Sequence, residues 1–235
     1  MQLEKLYEAM QSADTDQQLF EHIRQFAHKL GFVHVSYIMQ VPSLNGTVKW
    51  LRYEDMPAGW AENYTKQKYA EIDPLVRRAI KSIEPVVWTE NLFEEAPQIW
   101  ADANRFGLKH GITQSCWAAQ GVFGMLTLLR EKPALTPGEI SMLRRQLQLA
   151  SNMLHLAMFE RVDIPGISRI AEVNLTARER EILRWTSEGK TAEIVGAILN
   201  ISTRTVNFHI SNVLNKLVAV NKVQAVAKAR TFGLL

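Results

Sequence analysis

The chain has 235 residues, 47% of them hydrophobic and 22% charged, with one cysteine and a formal net charge of +3. That length favours two modest domains over one large one, and no apolar run approaches the roughly 20 residues of a membrane helix. A lone cysteine excludes an intrachain disulfide, and Met1-Gln2-Leu3-Glu4-Lys5 has no apolar segment of a secretory signal. A cytoplasmic protein is therefore expected, with Cys116 a buried thiol. The charge is unevenly spread, with residues 174–235 carrying +5 and residues 1–173 carrying −2. A basic C-terminal part on a mildly acidic partner points to a polyanion.

Elements in the first part alternate between helices and strands. Thr15-Asp-Gln-Gln18 reads as a capping box, followed by Leu19, Ile23, Phe26, Ala27 and Leu30 at helical spacing, with Gly31 placed to end the helix. Phe32 to Val41 is rich in β-branched and aromatic residues, and Pro42 with Asn45-Gly46 marks a turn into a second strand. Short helices follow, one ending near Gly107. A second strand pair is expected over about 112–118 and 122–129, joined near Gln120-Gly121. The pattern predicts an antiparallel sheet with helices on both sides.

Thr136-Pro-Gly-Glu139 is another capping box, with Pro137 at the first helical position. The helix it opens runs about 24 residues, with Ile140, Leu143, Leu147, Ala150, Leu154 and Met158 in one stripe. Leu149, Met153 and Leu156 widen that stripe enough to meet a second subunit. Asp163-Ile-Pro-Gly-Ile-Ser168 then breaks the helical pattern. The expected layout is a domain over 1–162, a linker over 163–174 and a second domain over 175–235.

The last sixty residues read as a helix-turn-helix. Thr176-Ala-Arg-Glu179 caps a first helix that ends at Gly189. Thr191 can cap a second, Asn200-Ile-Ser202 forms a tight turn, and Ser202 can cap a third. In the third helix Val206, Ile210, Val213, Leu214 and Leu217 must face the core. Asn207, Ser211 and Asn215 lie on the other side, beside Arg204 and Thr205, where side chains can reach base edges or phosphates. His209 has no Cys or second His at ligand spacing, so no metal site is expected.

Leu175-Thr-Ala-Arg-Glu-Arg-Glu-Ile-Leu-Arg-Trp185, Glu188-Gly-Lys-Thr191, Ile198-Leu-Asn-Ile-Ser202 and Thr205-Val-Asn-Phe-His209, with Asn212 and Lys216-Leu217, resemble the DNA-binding module of the LuxR family. One departure is Ile194, where that family usually has Glu. The resemblance implies DNA contacts from Lys190, Thr191, Ser202, Arg204, Thr205, Asn207, His209, Ser211, Asn212, Asn215 and Lys216. Base reading falls to the short, neutral Asn207 and Ser211, which leaves much to DNA shape.

Upstream, Trp60, Tyr64, Asp73-Pro74, Trp88 and Gly111 resemble the acyl-homoserine-lactone receptors of the same family. That implies an α+β chain: an N-terminal α-β-α sandwich that binds an autoinducer, and a C-terminal all-α helix-turn-helix. Trp60, a donor only, suits a lactone carbonyl. Asp73 suits the ligand amide, and Tyr64 is the candidate donor to the acyl carbonyl. Leu75, Trp88, Phe93 and Trp100 would wall the ring and chain, and Thr127 matches a hydroxyl position near a chain substituent. Many relatives have a bonding Tyr where Met56 stands, and Pro where Ser115 stands. The ligand is thus an acyl-homoserine lactone or a related small molecule.

The expected function is a ligand-responsive quorum-sensing transcription regulator. It binds double-stranded operator DNA as a homodimer, with RNA polymerase a further candidate partner, no membrane contact and no cofactor beyond the effector. The alternative is a ligand-independent DNA-binding regulator whose first domain serves dimerisation. A phosphorylated receiver domain needs an early acidic cluster and repeated βα units, which residues 1–160 lack. An enzyme is disfavoured: no Gly-x-Ser-x-Gly elbow, metal cluster or phosphate loop appears, and only Asp73 and His110 offer an acid and a base.

Overall fold

The computed structural model describes residues 2–42, 48–118, 121–161 and 173–235. The chain divides into two compact units, one built on a sheet and one on the C-terminal helices. The expected linker lies outside the described residues except for Val173 and Asn174, as do Asn45, Gly46 and Gln120 at the expected strand turns.

In the first unit α1 (Gln2–Gln11) and α2 (Asp16–Lys29) precede β1 (His34–Pro42) and β2 (Val48–Glu54). The Thr15 hydroxyl and the Gln18 side chain close the capping box of α2, and Gly31 leaves that helix at φ +85°. Then come α3 (Trp60–Lys66), a 3-10 turn over Tyr69–Glu71, α4 (Pro74–Ile80), the two-residue β3 (Val86–Val87), a 3-10 turn over Glu90–Phe93 and α5 (Pro97–Arg105). The strands β4 (His110–Trp117) and β5 (Phe123–Arg130) and the long α6 (Pro137–Arg161) complete it.

The sheet has five strands in the order β2-β1-β5-β4-β3, and β1 and β4 each pair antiparallel with β5. Alternation along the strands gives it two apolar faces. On one, Tyr37 of β1 and Cys116 of β4 lie fully under cover, and α6 crosses the sheet with α1 and α2 against it. There the Tyr37 hydroxyl meets His155 Nδ1 at 2.7 Å while His155 Nε2 faces the Val122 carbonyl at 3.3 Å. That pairing assigns the neutral Nε2-H tautomer. Gly124 makes room for it, since a Cβ there would stand 2.6 Å from His155 Nδ1.

The opposite face carries α3, α4, α5 and the two 3-10 turns over a core that includes Trp60, Tyr69, Leu75, Trp88, Phe93, Ile99 and Leu129. The result is an α-β-α sandwich, in agreement with the fold class expected. Along α6, Leu143, Leu147, Ala150, Leu154 and Met158 are buried, whereas Met142, Leu149 and Leu156 are 69%, 48% and 53% exposed.

In the second unit α7 (Ala177–Ser187), α8 (Ala192–Leu199), α9 (Thr203–Lys216) and α10 (Lys222–Thr231) are all capped by the side chain before them: Thr176, Thr191, Ser202 and Asn221. Val206 and Ile210 of α9 pack with Ile182 and Val195, and Val213 and Leu217 pack with Leu175 and Leu183. Leu214 is half-buried between these clusters. The turn between α8 and α9 closes over Gly196, where a Cβ would lie 2.7 Å from the Ile201 carbonyl oxygen. Asn200 makes the reversal in the left-handed region at φ 53°.

Candidate functional site

Between α3, α4 and the sheet face lies a half-open cavity of about 60 Å³. Trp60 and Tyr64, one helical turn apart on α3, bring their rings to 5.8 Å and share its wall. Asp73 is the N-cap of α4. One carboxylate oxygen accepts the Leu75 amide at 2.8 Å, and the other accepts the Tyr64 hydroxyl at 2.7 Å. Only 5% of Asp73 is exposed. Burial lifts its pKa above the usual aspartate value, against the lowering pull of Tyr64 and the α4 amides. Burial and the Asp73 charge together push the Tyr64 phenol up.

The floor of the cavity is the sheet. Ser36 of β1 stands opposite Thr127 of β5, and Thr127 opposite Thr113 of β4. Cross-strand partners share a face, so three hydroxyls lie in a row. The Trp88 indole N-H donates to Thr113 Oγ1 at 3.1 Å, and the Thr113 and Thr127 hydroxyls are 2.8 Å apart. Trp88 lies over Gly111, whose carbonyl accepts the Trp88 amide at 2.8 Å. A Cβ on Gly111 would stand 2.9 Å from Trp88 Cγ and 2.6 Å from Leu129 Cδ2.

Of the nine ligand-site residues expected from sequence, Met56, Trp60, Tyr64, Asp73, Leu75, Trp88 and Thr127 line this one cavity. Two do not. Phe93 is 1% exposed and Trp100 stacks on it at 5.5 Å, forming a second layer behind Trp88. The Tyr64 hydroxyl, expected to donate to an acyl carbonyl, donates here to Asp73. The structure adds Ser36, Ile38, Arg52, Glu54, Val76, Met125 and Leu129 to the wall. Met125 and Leu129 were reachable by the two-residue period from Thr127. The β1 and β2 residues enter by strand pairing, which leaves no local signal.

A separate cleft of about 80 Å³ between α1 and α2 is edged by Lys5, His22 and Lys29. It contains no buried polar group.

On the C-terminal unit, Arg204, Asn207, Ser211 and Asn215 are exposed along one side of α9, and Lys190 and Thr191 are exposed at the start of α8. Ser202 and Thr205 join their hydroxyls at 2.8 Å over the N-terminus of α9. Ser211 rests its hydroxyl on the Asn207 carbonyl at 3.0 Å. His209 and Asn212 are half-buried, with the His209 ring 5.7 Å from Phe208. The Lys216 ammonium lies 2.6 Å from the Glu179 carboxylate and 3.0 Å from the Asn174 carbonyl, so it braces the module internally. Burial raises the Glu179 carboxyl, but Lys216 and the Thr176 cap outweigh it and hold the group below the usual range. Among the described residues no cluster of His, Cys, Asp or Glu can hold a metal ion, and no helix is long and apolar enough to cross a membrane.

Comparison with known proteins accords with both surfaces. Residues 15–158 match the autoinducer binding domain family, and residues 173–229 match the bacterial regulatory proteins of the LuxR family. The transcriptional activator protein SolR of Ralstonia nicotianae is 42% identical, over 97% of each chain. The structure of SdiA in complex with octanoyl-rac-glycerol superposes with TM-score 0.76 at 28% identity, covering 99% of this chain and 94% of that one. The structure of CepR2 from Burkholderia cenocepacia, described as an N-acylhomoserine lactone dependent LuxR family factor, has TM-score 0.62 at 29% identity. It covers 69% of this chain and 97% of that one. The two domains follow one another in a single chain, as the two family matches require, and the chain belongs to the LuxR family of quorum-sensing transcription regulators, which are not enzymes.

Proposed function

We propose that this regulator senses an N-acyl-homoserine lactone in the cavity between α3, α4 and the sheet, and binds two-fold operator DNA as a homodimer through α9. The observation that carries the ligand reading is Asp73. It is a carboxylate with 5% exposure on the wall of a mostly apolar cavity, with its orientation fixed by Leu75 and Tyr64. A carboxylate oxygen has lone pairs beyond those two bonds, and a secondary amide N-H is the donor that suits them. Trp60 gives its indole proton to the lactone carbonyl. Tyr64 is a positioning residue for Asp73. Thr127 faces oxygen on the first carbons of the acyl chain, and Met56, Leu75 and Met125 close on its methylenes. The two methionines let the cavity widen by rotamer change.

The dimer reading rests on α6. Met142, Leu149 and Leu156 recur every seven residues and form a long apolar strip that the described residues leave exposed. Val218, Val220 and Val223 are 66%, 84% and 79% exposed around the start of α10 and supply a second patch. Val226, on the same helix, packs into the unit's own core. Two copies related by a two-fold axis present two α9 helices to two half-sites. RNA polymerase is the downstream partner proposed at the operator.

The test is mass spectrometry of small molecules extracted from the purified protein, followed by titration of operator DNA with and without the compound found. A co-purifying acyl-homoserine lactone that sharpens operator binding is the expected result. Operator binding indifferent to any extracted compound refutes the ligand reading in favour of a constitutive regulator.

A further inference from the structure

We propose that the cavity is built for an acyl chain carrying a hydroxyl near its head group, as at C3, and that Glu54 is the residue that selects it. The proposal rests on the lactone reading above and narrows it to one class of chain.

Glu54 is the last residue of β2 and lines the same cavity as Asp73 and Thr127. Among the described residues its carboxylate has one hydrogen-bond partner, the Ser36 hydroxyl at 3.5 Å, which is at the limit of a bond. Asp73 is better paired by comparison, with one partner on each oxygen at 2.7 and 2.8 Å. Burial withdraws Glu54 from water and lifts its pKa, with Arg52 on the same strand pulling the other way. A half-buried carboxylate with weak partners is an acceptor in want of a donor.

The direction of the protons along the floor sharpens the match. Trp88 can only donate, so Thr113 accepts from it. The Thr113 and Thr127 hydroxyls, 2.8 Å apart, share one bond in which either can donate, and when Thr113 donates the Thr127 proton is left for the cavity. Ser36, directly across from Thr127, gives its proton to the acceptor-only Glu54. The wall can therefore donate at Thr127, and at Arg52 beside Glu54, and accepts at Ser36 and Glu54. A hydroxyl donates and accepts, and meets both. A ketone only accepts: it can take a proton from Thr127 but brings no donor to Glu54. A methylene does neither and leaves Glu54 half-buried with its one weak partner. A site that hydrogen-bonds a hydroxyl discriminates strongly against the analogue lacking it.

The test titrates the full-length chain with N-acyl-, N-(3-oxoacyl)- and N-(3-hydroxyacyl)-homoserine lactones from butanoyl to tetradecanoyl. At the lengths that bind, the hydroxy compound is expected to bind about tenfold tighter than its unsubstituted and oxo counterparts, which equals about 1.4 kcal/mol. In Glu54→Leu that preference is expected to fall to within about twofold while the unsubstituted lactone still binds. A residue that merely supports the fold would move all three affinities together. Ser36→Ala, read in the same way, serves if Glu54→Leu does not fold, and the wild-type ratio stands by itself. Equal or tighter binding of the unsubstituted or oxo lactone by the wild type overturns the assignment. So does an equal loss of all three in the variant. Failure of every lactone to bind overturns the lactone reading, and this inference with it.

Discussion

Replacing Asp73 with asparagine separates its two tasks. The carboxylate caps α4 through Leu75 at 2.8 Å and holds the Tyr64 hydroxyl at 2.7 Å. Asparagine is as good an N-cap as aspartate, so the cap survives. The charged bond to Tyr64 is lost, at about 1.5–3 kcal/mol, but so is the cost of burying a charge that the raised pKa of Asp73 records. The fold is therefore expected to change by no more than about 1 kcal/mol. The ligand fares worse, because its amide N-H meets the asparagine N-H₂, donor against donor. Loss of a charge-assisted bond corresponds to about tenfold to hundredfold weaker binding. Asp73→Ala is the control: it also removes the cap, about 1 kcal/mol, and strands a half-buried phenol, about 1–3 kcal/mol more. Urea midpoints without ligand and lactone titrations of both variants supply the comparison. If Ala destabilises, Asn does not, and both folded variants bind lactone as before, Asp73 is a helix cap and nothing more.

Lys216→Ala should lower the stability of the C-terminal unit by about 1–3 kcal/mol, since Glu179 is left buried without its partner. The salt dependence of DNA binding should hardly change, whereas Arg204→Ala should make it shallower by about one unit; the converse result in filter-binding titrations returns Lys216 to the DNA surface. His155 has its pKa lowered, chiefly by burial. The unfolded chain then takes up the proton first, so the stability this residue contributes is complete above about pH 6.5 and is lost as pH falls towards the folded value. Urea unfolding from pH 8 to 5 should show that loss, and His155→Gln should flatten it; an unchanged slope in the variant assigns the acid sensitivity elsewhere. Gly111→Ala forces Trp88 and Leu129 aside and should cost both folding stability, by about 1–3 kcal/mol, and ligand affinity. Intact lactone binding in that variant would show that Trp88 is not part of the working wall.

What the sequence made legible is local. The capping pairs Thr15 with Gln18 and Thr176 with Glu179 act over three residues, and both form as read. The helix-turn-helix is likewise a chain of neighbouring caps and one helical period, so its core and its exposed side could be separated without tertiary information. Long-range pairing was not legible. Lys216 looks like a phosphate contact because its partner Glu179 lies 37 positions away. Ser36 and Glu54 look like ordinary strand residues until β1 pairs with β5 and brings Ser36 across from Thr127. Tyr64 and Asp73, nine positions apart, were each read for a ligand, and their own hydrogen bond could not be seen before α3 and α4 were in place.

That hydrogen bond changes how affinity and selectivity divide in this cavity. Trp88, Thr113 and Thr127 already bond to one another, and Tyr64 already bonds to Asp73. A ligand that contacts such groups largely exchanges one set of bonds for another, and the net gain per bond is about 0.5–1.5 kcal/mol. Apolar burial has no such competitor and contributes about 0.8 kcal/mol for each methylene withdrawn from water. Chain length is thus the main source of affinity until the cavity is filled. Polar selectivity concentrates where the wall is not already paired, and among the cavity's carboxylates that place is Glu54, with its single weak bond to Ser36.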